Sequence, residues 1–515
     1  MNLLVKINKN QIQNAVLFIS VFMVLILFAF LGKYLFFRDY SIIWEGAYRL
    51  NHGQLPYRDF GIPMGPAVFI LPSIYQFLFG YSFNGILYCG ILVQFLSFVA
   101  LFQILKSFKF NFFETSCFTI IFLISYLLNF KYLWYNSFAL MLLLFTVHFC
   151  IKSFHHSVYG ILSGFFVFLC LITKQDYGFL SAIFLFCFSI YLLFNKKIKS
   201  VLFSFFTLLI SISTFILWFK PHELLYWFNH GQPYFQSRFH RLKFNLKHFN
   251  YFGKNEFEFH QHTIDETIVY SVIITVILSV YLFINKNKTP FKSIFICLFF
   301  ILSAYVTSRL SGLSYFSTGY YWVFISILGY LYISNINQYI KWINYSALFI
   351  MIVFVFNKVP TRYLKITENK ALYYDYTPIE KKSIRADQKE SSKIFGRTYL
   401  LSNVPNDIDT LKKIVQLYHC KSMLNMTELT PLVEILNMPL TTKLPLWFDP
   451  STCLLDREKY KLIEDFKNRK YDLILIQNTH NYIDEYKQHM SEQYRLIYYF
   501  KTSSDVNDAF VYIKK

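Results

Sequence analysis

Twelve long apolar runs constrain the fold of this chain more than any other feature. A helix needs about 20 residues to cross the hydrocarbon core of a bilayer, where every backbone polar group must be hydrogen-bonded within the protein. The runs therefore predict a multi-pass α-helical membrane protein with about 11–13 spans. They lie near residues 13–37, 62–80, 84–106, 112–129, 133–151, 157–173, 177–194, 200–219, 266–284, 290–307, 316–334 and 339–357.

The composition agrees with a membrane protein. Of the 515 residues, 55% are hydrophobic, and the formal net charge is +20. A positive excess can indicate nucleic-acid binding, but here the lysines lie in short loops between apolar runs, where they set topology and contact lipid headgroups. We therefore expect membrane lipid and no nucleic acid among the partners. The run from Ala15 to Phe37 has no small-residue cleavage site and is longer than the apolar core of a signal peptide, so it should be retained.

The last part of the chain has a mixed, soluble-looking composition. We expect a multi-span module over residues 1–359 and a soluble, extracytoplasmic α/β domain over residues 360–515. Cys420 and Cys453 lie in this domain and could pair if it is exported. The predicted strands are Thr398–Val404, Tyr471–Gln477, Arg495–Phe500 and Ala509–Ile513, and the predicted helices include Ile408–Tyr418 and Arg457–Phe466.

Lysines between the apolar runs predict the orientation of the loops. The positive-inside rule places one alternating set of loops in the cytoplasm, and the long loop 220–265, the loop 308–316 and the C-terminal domain outside. The cytoplasmic set carries Lys106, Lys109, Lys152, Lys196, Lys197, Lys199, Lys286, Lys288, Lys292 and Lys341.

Two arrangements satisfy this charge bias. In one, the loop 38–61 is outside and residues 62–106 cross only once, which gives eleven spans. In the other, that loop is cytoplasmic and all twelve runs cross. Arginines in the loop 38–61 favour the second arrangement. The prolines at positions 63, 66 and 72 favour the first, because they suit a broken or interfacial helix.

The loop 38–61 holds three acidic residues, Asp39, Glu45 and Asp59, between very apolar segments. Asp39 follows the first run and opens an amphipathic stretch, so it is either a helix-capping residue or a general base at the membrane boundary. Glu45 either pairs with Arg49 four residues on or helps to position a substrate. Asp59 is either an ordinary turn aspartate or a ligand for a divalent cation or a sugar hydroxyl.

Further candidates lie in later loops. Lys174 is either a lysine that snorkels to the surface or a residue that binds a phosphate, and Arg309 is a second candidate for that role. His260 and His262 belong to the long loop 220–265 and could bind a metal, although an interfacial loop explains them as well. We find no Asp, Glu, Lys or Arg near the middle of any predicted span, so the chemistry is expected at one membrane face.

These motifs resemble the GT-C membrane glycosyltransferases, in the class of protein O-mannosyltransferases and aminoarabinose transferases. The resemblance is densest in residues 38–80 and covers the order of parts along the whole chain. The residues that carry it are Asp39, Glu45-x-Ala47-x-x-Leu50-x-x-Gly53, Pro56-Tyr57-Arg58-Asp59-Phe60, Pro63-x-x-Pro66 and Leu78-Phe79-Gly80, with Lys174-Gln175 and Tyr320-Tyr321 further on.

The resemblance implies roles for individual residues. Asp39 matches the catalytic base of the class. Asp59, together with Glu45, would position the acceptor, the donor or a metal ion. The class has this loop outside, which selects the eleven-span arrangement. Many relatives have a further acid after the third crossing, where this chain has Asn129 and Asn136. The resemblance therefore does not decide whether a divalent metal ion takes part in the reaction.

The function implied is an inverting transfer of one sugar from a polyprenyl-phosphate donor to a glycan, lipid or protein acceptor. The reaction would occur on the outer, periplasmic face of a bacterial cytoplasmic membrane. Lys174 or Arg309 would bind the departing lipid phosphate. The alternative is a flippase or transporter, or a polymerase, of lipid-linked surface polysaccharide.

Overall fold

The structure, a computed structural model, combines a helical bundle with an α/β unit. The residues that it describes are 9–31, 34–35, 38–108, 110–129, 132–225, 291–311, 323–324, 326–331, 383–446, 448, 454, 456–477, 482–501 and 508–515.

Helices occupy most of each predicted apolar run that the structure describes. The exceptions include Tyr34–Leu35, which form a strand near the end of the run 13–37, and residues 62–65, which precede the helical part of the run 62–80. The runs at 84–106 and 112–129 match helices residue for residue, because polar or glycine-containing segments interrupt the apolar sequence at both ends. The bundle helices are α1 (Lys9–Leu31), α2 (Arg38–Asn51), α3 (Ile70–Phe79), α4 (Asn84–Lys106), α5 (Phe112–Asn129), α6 (Tyr135–Ser153), α7 (Tyr159–Leu171), α8 (Gln175–Phe194), α9 (Ile198–Trp218) and α10 (Phe291–Ser311).

Several of these helices suit a membrane. Within the described part of the chain, α4, α6, α8 and α9 are long and apolar enough to cross a bilayer, and shorter apolar stretches lie in α1, α5, α7 and α10. The runs at 266–284 and 339–357 lie outside the described residues, as does most of the run at 316–334. The number of crossings therefore stays a prediction.

Small residues allow the bundle helices to pack closely. A Cβ added at Gly164 of α7 would lie 2.1 Å from the carbonyl oxygen of Ser204 in α9. The hydroxyl oxygens of Ser163 and Ser204 are hydrogen-bonded at 2.8 Å. Close backbone approach at small residues and buried hydroxyl pairs are typical of helix contacts in membranes. These contacts hold α7 against α9.

The α/β unit contains strands at the four predicted positions, and the strand Met423–Met426, which was not predicted from the sequence. Its four-stranded sheet has the order β5-β7-β9-β8, in which β5 and β7 are parallel and the other neighbouring pairs are antiparallel. The four strands are β5 (Met423–Met426), β7 (Leu473–Gln477), β8 (Tyr494–Lys501) and β9 (Asp508–Lys514), and the helices of the unit are α11 (Val404–Leu417), α12 (Leu432–Ile435), α13 (Asp456–Lys467) and α14 (Tyr482–Gln493).

Short strands join the α/β unit to the N-terminal part of the chain. β1 (Tyr34–Leu35) pairs in parallel with β4 (Thr398–Leu401), which also pairs with β3 (Ser383–Arg385). β2 (Phe60–Gly61) pairs in parallel with β6 (Leu444–Pro445). The domain boundary predicted at 359/360 lies outside the described residues, as does Cys453, so the boundary and the Cys420–Cys453 bridge stay predictions.

The loop 38–61 and the α/β unit therefore lie at the same end of the bundle. The eleven-span arrangement puts both outside, whereas the twelve-span arrangement separates them by the membrane, so the contacts favour eleven spans. α3 agrees, because its ten residues span about 15 Å at 1.5 Å per residue, about half the hydrocarbon thickness. The run 62–80 is thus a short helix preceded by the 3-10 turn Pro66–Phe69.

Candidate active site

The acidic loop begins as the amphipathic helix that the sequence predicts. Ile42, Ile43 and Ala47 of α2 are buried. Asp39 is the second residue of α2, where a negative charge is favoured by the partial positive charge of the helix N-terminus. The side chain of Asp39 lies outside the described part of the structure. Both roles predicted for it, helix capping and general base, therefore stay predictions.

Aromatic contacts place the start of α2 against the start of α6. The ring centroid of Tyr40, next to Asp39, lies 4.6 Å from that of Tyr132 and 6.5 Å from that of Trp134. Trp134 immediately precedes α6. The acidic first turn of α2 and the N-terminus of α6 therefore meet at one end of the bundle.

Glu45 forms the local ion pair that its spacing predicts. Its Oε1 lies 2.6 Å from Nη2 of Arg49; the Arg49 side chain is buried and that of Glu45 is largely buried, with exposed fractions of 6% and 12%. Burial raises the pKa of the Glu45 carboxyl, and the neighbouring Arg49 opposes that shift. This arrangement confirms the i,i+4 pair. A further role of Glu45 in positioning substrate stays a prediction.

Asp59 holds a tight turn. Its carboxylate accepts a hydrogen bond from the Leu55 N–H at 2.8 Å, and its own N–H donates to the Leu55 carbonyl oxygen at 2.9 Å. Tyr57, inside this turn, has a φ of 65° and donates its hydroxyl hydrogen to the Met64 carbonyl oxygen. The geometry agrees with the turn interpretation, and a role of Asp59 toward metal or substrate stays a prediction.

An ion pair that the sequence does not predict links this turn to the start of the long loop. Arg58 donates to both carboxylate oxygens of Glu223, at 2.8 and 3.3 Å. The side chain of Glu223 is 2% exposed, and that of Arg58 is 39% exposed. The hydrogen bonds from Arg58 lower the pKa of Glu223. The two residues are 165 positions apart, and no local pattern indicates their pairing.

The segment directly after the loop 38–61 docks on the connection between α7 and α8. The Gly65 N–H donates to the Thr173 carbonyl oxygen at 2.9 Å, and the Ala67 N–H donates to the Ile172 carbonyl oxygen at 3.1 Å. A Cβ at Gly65 would lie 1.9 Å from the Ile172 oxygen. Glycine is therefore required at this position, where two backbone segments meet beside Lys174.

Lys174 is buried in that connection and does not snorkel to the surface. It is 5% exposed, and its Nζ lies 2.7 Å from Oδ2 of Asp176. The same Nζ lies over the rings of Tyr135 and Tyr177, at 5.7 and 5.1 Å from their centroids. The structure thus brings a buried cation and the N-termini of α6 and α8 together. Helix N-termini and ammonium groups both favour anions.

Asn136, the second residue of α6, was not chosen as a site residue from the sequence. It is 2% exposed, and neither its Oδ1 nor its Nδ2 has a hydrogen-bond partner. A buried amide without partners is costly unless a ligand or water supplies them. One signal was visible in the sequence: Asn136 lies in the segment where many relatives of the resembled class carry an acid.

The remaining candidates cannot be placed in the site. Arg309 belongs to α10, but its side chain lies outside the described part of the structure. His260 and His262 also lie outside it. In the part of the chain that is described, His, Cys, Asp and Glu form no group of three or more able to hold a metal ion.

No protein-family model matches the chain, and no curated protein matches it at a significant level. Among solved structures, two crystal structures of ArnT from Cupriavidus metallidurans are similar to it. One, bound to undecaprenyl phosphate, covers 97% of both chains at 10% identity with a TM-score of 0.37. The other, in the apo state, covers 96% of this chain and 97% of that chain at 11% identity with a TM-score of 0.36.

At this identity and TM-score the likeness does not by itself assign an activity. Support for a function has to come from the residues of this chain.

Proposed function

We propose that the chain is a membrane glycosyltransferase that moves one sugar from a polyprenyl-phosphate donor to a cell-envelope acceptor. The acceptor would be a hydroxyl group of a glycan, lipid or protein. The single observation that carries this proposal is the docking of Gly65 and Ala67 on the residues directly before Lys174. It holds the segment directly after the loop 38–61 beside the buried cation.

The buried cation would serve the donor phosphate. Lys174 precedes α8, and its ammonium lies near the first residue of α6, so two helix N-termini and one positive charge converge. When the sugar leaves, negative charge grows on the lipid phosphate, and preoriented donors in a dry site stabilise that charge. Arg309 remains a second candidate for this role.

Asp39 would act on the acceptor. Its carboxylate takes the proton of the acceptor hydroxyl while that oxygen forms a bond to the anomeric carbon of the sugar. The bond between that carbon and the phosphate oxygen breaks in the same displacement, and its electron pair leaves with the lipid phosphate. A single displacement inverts the anomeric configuration.

Asn136 would recognise the sugar. A sugar hydroxyl both donates and accepts hydrogen bonds, so hydroxyl groups of the donor sugar can satisfy the Oδ1 and Nδ2 atoms that the protein leaves without partners. Asn136 lies next to Tyr135, whose ring contacts Lys174. Sugar recognition by Asn136 would therefore take place beside the proposed phosphate site.

The site is proposed to face outside. Lys106 ends α4, Lys152 lies in the last turn of α6, and Lys197 precedes α9. All three lie at the end of the bundle away from residues 132–135 and 172–175. Cytoplasmic loops carry the excess of lysine and arginine, so the end of the bundle with these three lysines is assigned to the cytoplasm. Nucleotide sugars are not expected outside, which favours a lipid-linked donor.

The rival function is transport of a lipid-linked glycan, or its polymerisation. The start of α2, the buried Lys174 and the unpaired amide of Asn136 all lie at one end of the bundle. This arrangement favours a reaction at one membrane face over a transport pathway through the middle of the membrane.

A reconstituted system separates transfer from transport. Proteoliposomes are loaded with a panel of polyprenyl-phosphate-linked hexoses and pentoses, together with extracted envelope material as acceptor. Release of free polyprenyl phosphate with labelling of the acceptor supports transfer. Movement of intact donor between leaflets, with no release of polyprenyl phosphate, would show transport instead.

A further inference from the structure

The helix that carries Asp39 is bound at both ends by the α/β unit. Near its start, the Thr430 hydroxyl donates to the carbonyl oxygen of Ser41 at 2.9 Å, two residues beyond Asp39. Near its end, the Tyr48 hydroxyl donates to Oε2 of Glu434 at 2.5 Å. Thr430 and Glu434 belong to the segment between β5 and β6 of the α/β unit.

Arg49 forms a third connection between α2 and the α/β unit. Its Nη1 donates to the Thr441 carbonyl oxygen at 2.6 Å and to Oε1 of Gln54 at 2.8 Å. Its Nη2 donates to the Thr441 hydroxyl at 3.2 Å and to Glu45 at 2.6 Å. One guanidinium thus ties α2, the following loop and the α/β unit together, and it is only 5% exposed.

The connections continue beyond α2. The Lys443 N–H donates to the Asp59 carbonyl oxygen, and the Leu446 N–H donates to the Gly61 carbonyl oxygen at 3.0 Å, on either side of the β2–β6 pair. Residues 41–61 therefore contact the segment 430–446 along their whole length. We call this set of contacts the interdomain clamp; its members in the α/β unit are Thr430, Glu434, Thr441, Lys443, Leu444, Pro445 and Leu446.

We infer that the interdomain clamp sets the position of Asp39, so that the α/β unit is part of the catalytic apparatus, with Thr430 and Arg49 as positioning residues. This inference rests on the proposed function, because it assigns Asp39 to the reaction. Its physical basis is that a helix held at both ends cannot rotate or slide, and catalytic groups displaced by about 1 Å lose much of their efficiency.

The most direct variant is Thr430→Val, which has nearly the same shape and lacks the hydroxyl that binds next to Asp39. Arg49→Lys keeps a positive charge beside Glu45 but lacks the planar set of donors that reaches Thr441. Thr410→Val is the matched control, because its hydroxyl donates to Asn406 within α11 and does not contact α2.

Two measurements on the full-length protein in nanodiscs test the inference. Hydrogen–deuterium exchange of residues 41–51, with α6 as internal reference, should become roughly fivefold faster in Thr430→Val and Arg49→Lys. In transfer assays with the polyprenyl-phosphate sugar that serves the wild type, kcat should fall roughly three- to tenfold with the donor KM unchanged. Thr410→Val should change neither quantity.

The exchange experiment needs no substrate, so it distinguishes the two proposals. A wild type that transfers no sugar would overturn the proposed function, while faster exchange in α2 would still support the clamp. Unchanged exchange in α2 of both variants would overturn the inference. Faster exchange with unchanged kcat would also overturn it, because α2 would then be free to move without affecting the reaction.

Discussion

The backbone N–H of Gly65 donates a hydrogen bond to the carbonyl oxygen of Thr173 at 2.9 Å. These residues are more than 100 positions apart. Their contact fixes the segment that follows the loop 38–61 beside the buried Lys174. Each part of the proposed mechanism depends on this meeting of two loops at one end of the bundle.

Replacing Gly65 by alanine should separate the two loops. The added Cβ would lie 1.9 Å from the Ile172 carbonyl oxygen and 2.9 Å from the Thr173 nitrogen, and backbone atoms cannot move aside as a flexible side chain can. We expect transfer activity to fall by at least about tenfold, with a lower midpoint of thermal unfolding.

Gly85→Ala is the control for this variant. There the added Cβ would meet the ring of Tyr75, a half-buried side chain that is able to turn. We expect a smaller loss of activity than for Gly65→Ala. Equal activity of Gly65→Ala and the wild type would contradict the docking of the two loops.

Replacing Lys174 by methionine should weaken donor binding and slow the release of the lipid phosphate. A charge-assisted hydrogen bond is worth about 1.5–3 kcal/mol, so kcat/KM for the donor should fall roughly ten- to hundredfold. The variant leaves the Asp176 carboxylate without its 2.7 Å partner, so stability should fall as well.

The double variant Lys174→Met/Asp176→Asn separates these two effects. Removing both charges should restore the midpoint of thermal unfolding toward that of the wild type without restoring kcat/KM. Recovery of activity together with stability would mean that Lys174 has only a structural role.

Replacing Asn136 by leucine should separate stability from activity. The two amide atoms have no partners in the protein, so an apolar side chain of similar size should leave the midpoint of thermal unfolding unchanged or higher. If sugar hydroxyls normally satisfy the amide, kcat/KM should fall by roughly tenfold or more. Loss of stability without loss of kcat/KM would contradict the role in sugar recognition.

The ion pair between Arg58 and Glu223 should make stability depend on pH in mild acid. The pair lowers the folded-state pKa of Glu223 below its ordinary value of 4.5. Its contribution is therefore complete above about pH 4.5 and is lost as the pH falls through the lowered folded-state pKa. The loop connection 58–223 should persist at pH 5.

Thermal unfolding of the wild type and Glu223→Gln between pH 3 and 7 tests this behaviour. The wild type should have the higher midpoint at pH 5–7, by on the order of 1–2 °C, because Arg58 is partly exposed to solvent. The two midpoints should converge as the pH approaches 3. A difference that grows as the pH falls would reverse the assigned sign.

Much of the local structure could be predicted from the sequence, because local patterns determine it. Apolar runs with polar boundaries predicted α4 and α5 to the residue, and i,i+4 spacing predicted the pair of Glu45 and Arg49. Alternating or apolar β-prone runs predicted four strands, β4, β7, β8 and β9, within a few residues at each end.

The meeting of distant segments could not be predicted in the same way. Arg49 contacts Thr441 across 392 positions, and Arg58 contacts Glu223 across 165. Neither pair has a spacing that marks it, because their contact depends on how whole helices pack. For the same reason, the sequence could not decide whether Lys174 snorkels to the surface or is buried; the structure shows that it is buried, next to the two residues on which Gly65 and Ala67 dock.

The most direct test of the proposed function is sugar transfer by Asp39→Asn. Asparagine has nearly the same shape but cannot take a proton from the acceptor hydroxyl. Loss of a general base typically costs a factor of about 10²–10⁴, so initial rates with a polyprenyl-phosphate sugar should fall at least a hundredfold, while expression and thermal unfolding stay unchanged. Transfer by Asp39→Asn at a rate close to that of the wild type would contradict the assignment of Asp39 as the base.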